Sequence, residues 1–171
     1  MKRFTILGLL MIGLALSFTA RNSVGQQKTL KEQLVGVWDL VSCDRTTANG
    51  ARQPYCVNPN GVLFLDASGR YAHIIAARGR PKLTVVNRQD APAEEFKAAA
   101  QGFAANFGTW SVNEQESTIT RHYEGALLPN YEGRYVKNSV SVAGDELTLV
   151  DPNPPGGFDQ GRMVTVYRRV K

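Results

Sequence analysis

Residues 34–42, Leu-Val-Gly-Val-Trp-Asp-Leu-Val-Ser, constrain this chain more than any other segment. They follow an apolar N-terminus directly and open a series of short alternating segments that runs to the C-terminus, the pattern of an all-β chain. A Gly-x-Trp on the first strand, a chain of 171 residues and an Arg-rich last strand together point to a small β-barrel. A barrel of about eight strands is just wide enough to hold one small ligand.

The N-terminus reads as an address rather than as part of the fold. Lys2 and Arg3 precede an uncharged apolar run from Phe4 to Ala20, and Ser23-Val24-Gly25 places small residues at the −3 and −1 positions of a cleavage site. Residues 1–25 are therefore expected to be a signal peptide, with the mature chain starting near Gln26. A membrane span needs about 20 apolar residues, so a stable anchor is not expected. Localisation is expected to be periplasmic or secreted.

Charge narrows the partners. The net charge is +5, but Lys2, Arg3 and Arg21 supply three of the 20 basic residues, leaving 17 against 15 acidic ones, or +2, after cleavage. A weak, scattered balance of this kind carries no nucleic-acid footprint. Arg78, Arg80, Lys82 and Arg88 gather in one polar stretch that reads as solvated surface, with anion steering as the rival. The two cysteines, Cys43 and Cys56, are expected to form a disulfide in an oxidising compartment, because their spacing fits neither a CxxC redox motif nor a zinc site.

A single domain, 26–171, is expected. Strands are predicted at Val35–Cys43, Gly61–Asp66, Arg70–Ala77, Thr109–Val112, Thr118–Glu124, Arg134–Val142, Glu146–Val150 and Arg162–Val170. Lys28–Leu34 reads as a short helical lead-in. Asp44–Pro59 and the Pro-rich Asp151–Gly161 read as loops. Pro92–Phe107 reads as the one inserted α-helix, with Glu94 and Glu95 in its first turn and Phe96, Ala100, Phe103 and Phe107 on one face, positioned to cover one barrel end.

The chain resembles the bacterial lipocalin-like domain proteins. The matching segments run in order through the chain: Leu34–Ser42, Asn58–Leu63, Gly69-Arg-Tyr71, Glu94–Lys97, Gln101-Gly102, Phe107-Gly-Thr-Trp110, Pro129-Asn130 and Gly144–Leu147. Asn138 and Ser139 depart from the pattern, standing where members often carry an Arg. The resemblance implies an up-and-down antiparallel barrel with a small-molecule pocket. It also implies that Trp38 closes the barrel floor beneath an Arg of the last strand, Arg168 or Arg169, with Arg168 taken as the structural partner.

Polar candidates for the pocket lie on two strands. Tyr71, His73 and Ile75 share one face of theirs. On Thr118–Glu124, one arrangement packs Ile119 and Tyr123 inside with Arg121, while the other turns His122 and Glu124 inward. The resemblance favours His122, which matches a Thr-x-x-His-x-Glu-like segment of the family. The ligand-binding candidates are His122, Arg121, Tyr71, His73 and Glu124. Neither an HxH nor an HExxH motif occurs, so no metal or other cofactor is expected. Tyr123, Tyr131 and Tyr135 flank Leu127, Leu128 and Pro129, forming either a packed barrel end or an apolar lip.

The resulting expectation is a carrier for a small, largely apolar molecule. The rivals are an acid–base enzyme, of isomerase or hydratase type, using His122, and a structural or interaction domain with a filled core. Covalent catalysis is not expected, because no GxSxG elbow is present.

Overall fold

The computed structural model describes residues 28–47, 50–152, 154 and 161–171. The expected signal segment and most of the Pro-rich connection lie outside them. Nine strands form a single sheet: β1 (Gly36–Thr46), β2 (Arg52–Pro54), β3 (Gly61–Leu65), β4 (Arg70–Ala76), β5 (Phe103–Asn113), β6 (Thr118–Ala126), β7 (Tyr135–Ala143), β8 (Glu146–Asp151) and β9 (Arg162–Arg169). All pairings are antiparallel, and β1 closes the barrel by pairing with β9 from Trp38 to Thr46. Eight strands make the barrel. β2, in a region expected to be loop, is an extra three-residue strand on the half of β1 that β3 does not reach. It covers backbone groups that would otherwise form a free edge.

Two β-bulges set which side chains look inward. On β1 the register against β9 slips between Leu40 and Ser42. Trp38 and Leu40 therefore face the core before the slip and Cys43 after it. Without the extra residue, Cys43 would share the outer face of Asp39 and Val41. On β6, Glu124 is the extra residue, because Phe107 pairs with Gly125 and Gly108 with Tyr123. Gly108 is obligatory there: a Cβ would lie 2.0 Å from the His122 carbonyl oxygen.

The inserted helix is shorter than expected. It spans Ala93–Gln101 (α2) and stops at Gly102, and Phe103–Phe107 belong to β5. The Ala-rich run 104–105 has helical propensity, but Ile74–Ala76 of β4 needs a partner and takes Phe103–Ala105 in register. Sheet pairing overrides local preference. The Phe face is thus split. Phe96 and Phe107 are about half exposed, α2 buries no residue, and it does not plug the barrel.

The other helix closes an end. α1 (Leu30–Leu34) begins with a Thr29–Glu32 capping box, and Glu114 of the β5–β6 turn accepts from the backbone N–H groups of Leu30 and Lys31. Leu34 is fully buried, and its carbonyl accepts from Trp38 Nε1 at 2.8 Å. The three short hairpins, 66–69, 114–117 and 144–145, turn at this same end. Leu34, Trp38, Leu63, Leu65, Trp110, Ile119 and Leu147, all at most 4 % exposed, fill it.

Arg169 locks this end. Its guanidinium lies 4.0 Å from the Trp38 ring and donates to the carbonyls of Val35, at 2.9 Å, and Gln33. Gly36 makes the approach possible, since a Cβ there would lie 2.7 Å from Arg169 Nη1. Arg168, the expected partner of Trp38, is exposed. The correction follows from strand period: Tyr167 points inward, so Arg169, two residues from it in the bulge-free end of β9, cannot share the outward face that Arg168 takes.

A candidate ligand cavity at the open end

β1, β4, β6 and β8 all end at the opposite end, where the described connections 50–60, 77–102 and 127–134 lie. There the interior is not filled. A cavity of about 620 Å³ opens between them, within the usual range for small-molecule sites. Its mouth is apolar: Tyr55, Val57, Pro59, Phe103, Leu127 and Leu128 border it. Leu127 and Leu128 are 42 % and 50 % exposed, which makes this loop a lip, whereas Tyr135 of the same sequence cluster lies outside the barrel, 73 % exposed. A disulfide joins Cys43 to Cys56, both on the cavity wall, and ties the first long connection to β1. The backbone N–H groups of Tyr55 and Cys56 both donate to the Cys43 carbonyl.

The inner wall is polar. His73 Nε2 lies 3.0 Å from the Tyr167 hydroxyl. Burial pushes His73 down to about 3, and the Arg121 charge adds to the effect, so the imidazole is neutral at ordinary pH. Its ring borders the cavity, which leaves part of it accessible although protein surrounds it. Burial likewise pushes the Tyr167 and Tyr71 phenols up.

Arg121 dominates the electrostatics. It is 5 % exposed, and a guanidinium stays charged wherever it is placed. Nη2 donates to Asn138 Oδ1 at 2.9 Å, and the rings of Tyr71 and Tyr123 flank the group at 5.8 and 5.9 Å. Among the described residues, Nε and Nη1 have no hydrogen-bond partner, nor do the buried Tyr71 hydroxyl and Asn106 Oδ1.

The five sequence candidates therefore separate. Arg121 and His73 line the cavity, and Tyr71 lies behind Arg121. His122 and Glu124 do not belong to the interior. Ile119, Arg121 and Tyr123 take the inner face of β6, so the alternate residues look out. His122 stacks on Tyr135 at 4.5 Å, and Glu124 pairs with Arg70 at 2.7 Å. The apolar pair Ile119 and Tyr123 carried the signal for this facing. Tyr167 and Asn106 escaped the sequence reading, and Asn138 entered it only as a departure from the family pattern, because each acquires meaning only from a strand distant in sequence. Among the described residues, no group of three His, Cys, Asp or Glu side chains could hold a metal ion, and no helix is long and apolar enough to cross a membrane.

No curated protein matches the chain. A crystal structure of a lipocalin-like protein from Bacteroides uniformis ATCC 8492 aligns over 81 % of this chain and 99 % of its own, with 14 % identity and a TM-score of 0.42. The sequence pattern of the lipocalin-like domain matches residues 35–170, from the strand that carries Trp38 to the one that carries Arg169. With four-fifths of its length so matched, the chain belongs to the lipocalin-like domain family.

Proposed function

We propose that the protein is an exported carrier that holds a small, largely apolar molecule in the open end of its barrel and releases it unchanged. The observation that carries this reading is the cavity of about 620 Å³, mostly apolar at its mouth and with a few polar groups converging at its inner wall. Export is supported by the basic-then-apolar N-terminus and by the Cys43–Cys56 disulfide.

Carriage without chemistry is supported by the state of the inner wall. General acid–base catalysis works best with a group that titrates near the working pH. His73 is held neutral down to about 3 and Tyr167 is held protonated, so neither exchanges a proton easily. His122, the base of the enzyme alternative, lies on the outer surface.

Native mass spectrometry of the protein purified from its own compartment, followed by denaturing extraction, tests the proposal. A stoichiometric small molecule is expected. An empty protein that also takes up no fluorescent fatty-acid probe would replace the carrier with an interaction domain.

A further inference from the structure

From the charged, incompletely bonded guanidinium on the inner cavity wall, we propose that the ligand is an amphipathic carboxylic acid, bound with its apolar body toward the mouth and its carboxylate toward Arg121. This inference rests on the carrier reading above and specifies its ligand.

A buried charge is costly unless an opposite charge and hydrogen bonds compensate it. Arg121 has one neutral acceptor, Asn138, and two flanking phenol rings. These hold the guanidinium in place without neutralising it. Nε and Nη1 have no acceptor among the described residues. Asp151, at the end of β8, attracts the guanidinium and is partly exposed, so it weakens the local positive potential, yet those two donors stay unmet. His73 adds no charge of its own.

A carboxylate is the complementary group, since it carries a charge opposite to the guanidinium and accepts hydrogen bonds. The Tyr167 hydroxyl beside His73 offers a neutral hydrogen-bonding neighbour. Charge at the inner wall and Leu127, Leu128, Phe103 and Val57 at the mouth give the cavity a polarity gradient. An apolar acid entering headgroup first matches that gradient, whereas a wholly apolar ligand would add nothing to the partial compensation that Asp151 gives Arg121.

The test compares a fluorescent dansyl-undecanoic acid with its methyl ester on delipidated wild-type protein. The acid is expected to bind about tenfold or more tightly than the ester, the scale of one charge-assisted contact. Arg121→Met should abolish that preference, and Arg121→Lys should retain part of it. Equal wild-type affinities for acid and ester would overturn the carboxylate assignment while leaving the carrier standing. Binding of neither probe would overturn both. The wild-type comparison decides even if Arg121→Met does not fold. Retention of the preference in a folded Arg121→Met protein would also defeat the assignment.

Discussion

The two ends of this barrel are built from the same strands and do opposite things. At the α1 end, hairpins are short, Trp38 and Leu34 have no exposed surface, and the Arg169 guanidinium meets a ring face and two carbonyls. At the other end, connections are long, apolar side chains stand half exposed around a cavity, and the Arg121 guanidinium has a single acceptor among the described residues. Two arginines thus mark two uses of one architecture. Where donors and ring faces are satisfied, the residue fastens the fold. Where donors are left over, it is the anchor proposed for a ligand.

The contrast can be broken first at its strongest point. Trp38→Ala should lower stability by about 3–5 kcal/mol, the cost of emptying a well-packed aromatic site, as read by denaturant unfolding. Should it cost under about 1 kcal/mol, the α1 end would not be the structural one.

Opening the disulfide acts on the other end. Cys56→Ala should cost about 3 kcal/mol, because the bridge closes a loop with a sequence separation of 13. The loss should be accompanied by weaker probe binding, since Cys56 and Tyr55 border the cavity. Unchanged probe affinity would separate the first long connection from the site.

The correction at the last strand supplies a sharper pair. Arg169→Met should destabilise by about 2 kcal/mol through loss of the ring contact and of charged hydrogen bonds to carbonyls. Arg168→Met, at an exposed position, should stay within about 0.5 kcal/mol. Thermal melting of the two variants side by side would reverse the assignment if Arg168 proved the costlier.

The smallest effect is in pH. His73 titrates near 6.5 when unfolded and is pushed down to about 3 in the fold. The unfolded chain therefore binds the extra proton first as pH falls. Stability is full above 6.5 and declines below it, with a slope approaching about 1.4 kcal/mol per pH unit. The lowered carboxylates, Glu32, Asp66, Glu116 and Asp145, add their losses only nearer their own range. Between pH 6.5 and 5 the decline should thus belong to His73, and His73→Gln should flatten it. A variant with the wild-type slope would place the histidine in solvent contact.

Particular residues show how much of this was legible beforehand. Gly36-x-Trp38, the turn glycines and the alternating segments carry local information, because strand period and backbone conformation act over a few residues. Seven of the eight barrel strands lie close to their expected positions for that reason. The fifth strand of the sheet did not, since Phe103–Phe107 has two local solutions and only the register of β4 selects one. Facing on β6 was equally open. Either side of that strand offers polar candidates, and it is the closure of the barrel that puts Ile119 and Arg121 within and His122 outside.

The amino-acid sequence by itself determined an eight-stranded barrel of the lipocalin-like family and a cysteine pair that the fold joins as a disulfide. The strand count and the cysteine pair depend on period, turn chemistry and composition, and the family on an ordered series of short motifs, all of which are local. The tertiary structure alone decided that Arg169 rather than Arg168 covers Trp38, that α1 rather than α2 closes an end, and that Arg121 borders the cavity. Each of those depends on which distant strands meet in register, where a one-residue slip exchanges inside for outside.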